Sequence, residues 1–122
     1  MGIQQYFVPL QKNVRNMTTG RDEIIKQIRQ VGKMTLPEGA SLYLYGSRAR
    51  GDNRPDSDWD IMIMLDKEKL NGDDFGYGYP FHELGWEIDE EINPTICAKG
   101  HWIRHSFLPF FKNVEKDKIV LL

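Results

Sequence analysis

Apolar and polar residues follow two periods along this chain, and the changes of period fall at glycines and prolines. From Arg21 to about Met34, the residues Ile24, Ile25, Ile28, Val31 and Met34 recur at helical spacing, with Lys26, Gln27, Arg29, Gln30 and Lys33 on the other side. That is the pattern of an amphipathic helix. Thr19 offers a hydroxyl cap at its start, with Asp22 three residues on, and Pro37 and Gly39 end it. Ser41–Tyr45 (SLYLY) is a strand by length and residue type. Asp58–Leu65 (DWDIMIML) reads as a second strand, apolar enough on both faces to lie inside a sheet. Asp66–Tyr79, rich in Gly and Asp, reads as a loop leading into a helix around Pro80–Trp86. Glu90–Cys97 (EEINPTIC) reads as a third strand, and Pro94, which has no backbone donor, predicts a sheet edge or a bulge there. Helical pieces at Gly100–Ser106 and Leu108–Lys116 and a short strand at Ile119–Leu122 complete the pattern. Residues 1–18 hold no sustained period and read as an irregular lead-in to a single domain spanning 19–122. The element order predicts an α/β (α+β) fold, a small mixed β-sheet flanked by helices.

Composition narrows the class. A length of 122 residues, 40% of them hydrophobic and 28% charged, fits one globular domain with its own core. The single cysteine, Cys97, excludes an internal disulfide and reads as a buried small hydrophobe in a reducing compartment. No apolar run approaches the ~20 residues of a membrane span and the start lacks a signal-peptide pattern, so a cytoplasmic location and no membrane partner are expected. A formal net charge of −2 argues against strong binding of duplex nucleic acid. Locally, however, Arg48, Arg50 and Arg54 are interleaved with Asp52, Asp56, Asp58 and Asp60, a mixture suited to handling cations and phosphates together.

The chemistry lies in GSRARGDNRPDSDWD, Gly46–Asp60. Strand residues i and i+2 share a face, so Asp58 and Asp60 project together, about 7 Å apart at Cα. Two unneutralised carboxylates at the start of an apolar strand repel each other, and a cation relieves that repulsion. Hard oxygen ligands, few in number, suit Mg²⁺ that shares substrate phosphates. Gly46 and Ser47 stand where the first strand must break into a turn. Glycine permits close backbone approach, exposed amides favour anions, and the serine hydroxyl adds a donor, with Arg48 and Arg50 supplying charge. A Gly-Ser turn alone is usually a linker, and an Asp-x-Asp alone is usually solvated. Together at this spacing, with residues 48–57 between them, they arise by chance in roughly one in a thousand chains of this length. The flanking strands make accident rarer still.

This stretch resembles the signature of the DNA polymerase β-like nucleotidyltransferases, in particular the minimal nucleotidyltransferases: Gly-Ser, ten residues, Asp-x-Asp, met here by Gly46, Ser47, Asp58 and Asp60. Ala49, Arg50 and Gly51 resemble the family's small-Arg-Gly step, Ser57 directly precedes the first aspartate, and Trp102–Leu122 looks like the end of such proteins. The resemblance implies transfer of a nucleoside monophosphate from an NTP, usually ATP, to an acceptor hydroxyl with release of pyrophosphate. It implies two Mg²⁺ ions, with Asp58, Asp60 and a third carboxylate from a neighbouring strand as metal-binding and catalytic residues, and Gly46, Ser47, Arg48, Arg50 and Ser57 as the nucleotide-binding set. Candidates for the third carboxylate are Glu87, Asp89, Glu90 and Glu91. In a strand from Glu90, Ile92 and Ile96 share one face and Glu91, Asn93, Thr95 and Cys97 the other, so alternation selects Glu91, which would also serve as base. Family members are often paired with a small helical protein and some resemble antitoxins. A weakly active or inactive nucleotide-binding partner of such a protein is therefore the alternative expectation. A nucleotide-sugar enzyme holding its substrate with Asp-x-Asp is the weaker third reading, since such enzymes use a larger domain.

Other features read as structural. His101 and His105 are spaced as a metal pair, but no Cys or carboxylate pattern completes a zinc site. His82 and the aromatic residues of the second half read as surface and packing groups, with GYGYP (residues 76–80) as the one stretch able to form a lip over the site.

Overall fold

A computed structural model describes residues 20–122, so the lead-in and the Thr19 cap lie outside the described residues. In chain order the elements are α1 (Gly20–Thr35), β1 (Ser41–Tyr45), a one-turn α2 (Ser47–Arg50), β2 (Trp59–Leu65), a 3-10 helix (Gly72–Gly78), α3 (Tyr79–Ile88), β3 (Ile92–Ala98), α4 (Lys99–Arg104), α5 (Pro109–Asp117) and β4 (Ile119–Val120). Among the described residues no helix is long and apolar enough to cross a membrane.

The four strands form one mixed sheet in the order β3-β2-β1-β4. β1 runs antiparallel to β2 and β4, while β2 and β3 are parallel. The all-apolar β2 is accordingly internal, with every residue but Asp60 buried. β3 takes an edge, where Pro94 costs no ladder bond on its outer side. No bulge is needed, because the register runs unbroken from Trp59↔Ile92 to Leu65↔Ala98.

Alternation along β2 divides the interior in two. Ile61, Ile63 and Leu65 join Leu42 and Leu44 in a core covered by Ile28 and Val31 of α1 and Phe81, Leu84 and Ile88 of α3. α1 lies close because Gly32 lets Leu42 in: a Cβ there would sit 2.8 Å from the leucine's Cδ2. Met34, expected on the apolar stripe, is instead half exposed, since the helix ends one residue later and the sheet lies under its earlier turns. On the opposite face Met62, Met64 and Cys97 pack with Trp102 of α4, Val114 and Phe111 of α5, and Tyr43 and Tyr45 of β1. Cys97 is thus buried, and burial pushes its thiol up from the ordinary value.

The segment expected as a loop from Asp66 is more ordered than its glycines imply. A capping box at Asn71 and Asp74 starts the 3-10 helix, with Asn71 Oδ1 accepting from Asp73 N (3.0 Å) and Asp74 accepting from Asn71 N and from Lys67 Nζ (both 2.8 Å). Within GYGYP, Gly78 is buried against Pro94 and Tyr77 packs half-buried against the core. At the chain end, Leu121 N donates to Leu42 O (2.7 Å), which ties the last strand to β1.

Candidate active site

The site forms where β1 ends and β2 begins, on the face that carries Met62 and Met64. Gly46 follows β1 with φ 76° and ψ −160°, a conformation open in practice only to glycine. It turns the chain into α2, where Ala49 N and Arg50 N both donate to Gly46 O, and Gly51 closes the turn in the left-handed region. The β1–β2 register sets Tyr45 opposite Asp60, so the bend and the carboxylate become neighbours. A Cβ on Gly46 would lie 2.7 Å from Asp60 Oδ2, a cradle that any side chain would fill. Ser47 is half buried, and its hydroxyl makes no hydrogen bond among the described residues.

Asp58 is exposed just before β2, whereas Asp60 is half buried within it. Burial raises the Asp60 carboxyl above its ordinary range, a hydrogen bond from Asn93 opposes that rise, and the charge of Asp58 adds to it. Asn93 is the β3 residue in register with Asp60, and its Nδ2 donates to Asp60 Oδ1 at 3.4 Å. Beside it the Tyr45 hydroxyl meets Thr95 Oγ1 at 3.4 Å, and the Tyr45 ring takes the edge of Phe110 at 6.0 Å.

The remaining expected residues are in place around this centre with different duties. Arg48, expected at phosphates, points inward and is only 12% exposed. Its guanidinium donates to Ser57 O (2.9 Å) and Pro55 O (3.1 Å), lies 4.4 Å above the Trp59 ring and 3.8 Å from Glu90 Oε1. Glu90 in turn accepts from Trp59 Nε1 at 2.9 Å. Ser57 Oγ accepts from Arg54 N (2.9 Å), so this serine closes the 51–58 loop. Arg50 is exposed beside the bend and bridges Asp52 (3.1 Å) and Asp117 (3.0 Å), fastening α2 to the end of α5. Glu91 stands exposed one residue before β3, which begins at Ile92 and not at Glu90, and its carbonyl accepts from Trp59 N at 2.8 Å. Among the described residues no three His, Cys, Asp or Glu side chains gather into a metal cluster, so Glu91 does not converge with Asp58 and Asp60. His101 and His105 stack at 4.1 Å, with His105 Nδ1 on His101 O. The residues that sequence reasoning passed over are Asn93, Tyr45 and Thr95. Their signal was the shared face of alternating strands, which becomes specific only once the register is known.

Residues 22–120 match the family model of the nucleotidyltransferase domain. The chain belongs to the nucleotidyltransferase family. Its fold is that of the polymerase β-like nucleotidyltransferases, and as a member it transfers nucleoside monophosphates. A putative nucleotidyltransferase from Sulfolobus solfataricus superposes with a TM-score of 0.52 at 22% identity, over 82% of this chain and 80% of that one. A toxin–antitoxin solved with AMP-PNP gives 0.51 at 17% identity, over 85% and 73%. A mutant of the toxin–antitoxin MntA-HpeT gives 0.53 at 18% identity, over 86% and 73%. No curated protein matches the chain in sequence. In this nucleotidyltransferase the bend and the carboxylate pair fit a divalent cation with phosphates. The donors are hard oxygens, and the space above Gly46 is kept clear by the lack of a side chain.

Proposed function

We propose that this nucleotidyltransferase moves AMP from ATP to an acceptor hydroxyl, with Mg²⁺ held by Asp58 and Asp60. The observation that carries it is the apposition of the Gly46–Ser47 bend and the Asp60 carboxylate, 2.7 Å from where a Cβ would stand. When bound, the cation neutralises phosphate charge and lowers the pKa of the acceptor hydroxyl. The chain's own residues do the rest. Asp58 and Asp60 offer adjacent carboxylate oxygens. Ser47 donates its hydroxyl to a phosphate oxygen and Gly46 lets that phosphate approach the backbone. Arg50, tied to Asp52 and Asp117, fastens the bend to α5, while Arg48 and Ser57 keep the loop between bend and pair in one shape. A bond forms from the acceptor oxygen to the α-phosphorus as the bond from that phosphorus to the bridging oxygen breaks, and pyrophosphate leaves with the electron pair. The hydroxyl proton passes to Glu91, the exposed carboxylate one residue before β3.

In this reading the acceptor hydroxyl belongs to a partner. Two of the similar folds come from toxin–antitoxin structures, which supports a protein partner. One observation favours a second reading, a nucleotide-binding module of low activity: no third carboxylate joins Asp58 and Asp60 among the described residues. Incubation with α-³²P-labelled ATP, Mg²⁺ and a cell extract tests the enzyme reading. Labelled macromolecules are expected, and Asp58→Asn or Asp60→Asn should lower labelling on the order of 10²–10³-fold with the circular dichroism spectrum unchanged. Undiminished labelling in either variant contradicts it. A rise in melting temperature with Mg²⁺ and ATP but no labelling favours the second reading.

A further inference from the structure

The resemblance leads one to expect three carboxylates around the cation, yet the side chain that β3 presents to the pair is an amide. We infer that Asn93 stands in the third carboxylate's place as a neutral positioning residue, leaving a two-carboxylate cation site that the triphosphate itself must complete. This rests on the function proposed above.

Four observations converge on it. Asn93 is the register partner of Asp60 in the parallel β2–β3 pair, the one β3 position level with that carboxylate. Its Nδ2 donates to Asp60 Oδ1 at 3.4 Å, so the amide holds one oxygen of Asp60 while the other, Oδ2, faces the Gly46 cradle. The acidic residues nearest in sequence are accounted for: Glu90 is engaged by Trp59 and Arg48, and Glu91 lies outside β3 and outside any three-acid cluster among the described residues. Thr95, next on the same face, is taken by the Tyr45 hydroxyl.

The chemical consequence follows from charge. Cation affinity in an oxygen site depends strongly on the number of charged ligands. With two carboxylates and an amide donor, the metal-free pair is partly satisfied by Asn93 and attracts a bare cation weakly. A cation arriving with a triphosphate brings its own oxygen ligands and binds well. Asn93 thus makes cation binding conditional on nucleotide, and it fixes the Asp60 rotamer with Oδ2 toward the bend.

Mn²⁺, which takes the same hard-oxygen ligands, gives a readout independent of catalysis, because the electron paramagnetic resonance signal of the free ion fades on binding. The full chain is titrated with Mn²⁺ alone and with Mn²⁺ plus α,β-methylene-ATP, whose α–β bridge cannot be cleaved. The wild type should bind Mn²⁺ alone weakly and at least about tenfold more tightly with the analogue. Asn93→Asp should tighten binding of Mn²⁺ alone by about tenfold or more, lower the melting temperature without metal and recover it with Mn²⁺. Asn93→Ala should not tighten binding of Mn²⁺ alone, and Glu91→Gln should leave it unchanged. Unchanged affinity in Asn93→Asp overturns the inference, as does a tenfold loss in Glu91→Gln. Unchanged Mn²⁺ affinity in Asp60→Asn overturns the proposed function itself, a failure distinguishable from the other two.

Discussion

The two faces of this sheet come from the same strands and are built to opposite ends. Toward α1 and α3, the alternate residues Trp59, Ile61, Ile63 and Leu65 of β2 are sealed in a dry core with Leu42 and Leu44. Toward α4 and α5, the intervening β2 residues begin with Asp60 and become apolar only at Met62 and Met64. One residue of displacement along β2 separates a position whose value is packing from one whose value is charge. The helices follow suit. The α1–α3 layer reaches Trp59 at the start of β2, whereas the contacts of α4 and α5 include Met62 and Met64 and stop at Tyr45, leaving the acidic end accessible.

The contrast can be broken most directly at adjacent residues. Ile61→Ala, in the dry core, should cost about 2–5 kcal/mol of stability by denaturant unfolding. Activity per folded molecule should change little. Asp60→Asn, one residue earlier, should do the reverse. A large activity loss in folded Ile61→Ala, or a large stability loss in Asp60→Asn, would mean that the two faces are not separable.

Gly46 sharpens the same comparison, since it serves both fold and site. In Gly46→Ala a Cβ is forced into a glycine-only conformation, at a cost of about 1–3 kcal/mol, and it lies 2.7 Å from Asp60 Oδ2. Displacing that carboxylate should lower nucleotidyl transfer by up to about 10²-fold. Stability near that of the wild type together with full activity would show that the bend does not set the carboxylate.

The smallest effect concerns acid. Asp60 has a folded-state carboxyl raised above the ordinary range, chiefly by burial. The native state therefore holds that proton to higher pH than the unfolded chain does. Stability from this group is full below the unfolded carboxylate range and is lost as pH rises through the raised value. Without metal at neutral pH, Asp60→Asn should melt no lower than the wild type, and this difference should vanish in acid. Mg²⁺ with ATP should stabilise the wild type and not the variant.

Much of this was legible in the sequence because it is local. Ser41–Tyr45 and β2 announce themselves by residue type, and Pro94 rightly marked the edge of the sheet. The Gly46–Ser47 bend and the Asp58–Asp60 spacing were equally plain. What could not be read depends on register and rotamer. Alternation alone groups Glu91 with Asn93, but β3 begins only at Ile92, and the pairing of Asp60 with Asn93 shows which β3 residue stands level with the site. Arg48 and Arg50 look alike on paper. The tertiary position of Trp59 and Glu90 draws the first inward, and Asp117, far along the chain, holds the second at the surface. The order between Asp66 and Tyr79 was hidden because it rests on Asn71, Asp74 and Lys67 hydrogen bonds and not on periodicity.

The central claim is that the carboxylate pair and the Gly46–Ser47 bend together receive a cation-bound triphosphate. Calorimetric titration of α,β-methylene-ATP with Mg²⁺ into the wild type and into the doubly substituted Asp58→Asn, Asp60→Asn chain tests it without any acceptor. Saturable binding to the wild type that weakens by at least about tenfold in the variant, and in the wild type when Mg²⁺ is withheld, is the expected result. Equal affinity in all three titrations would contradict the account.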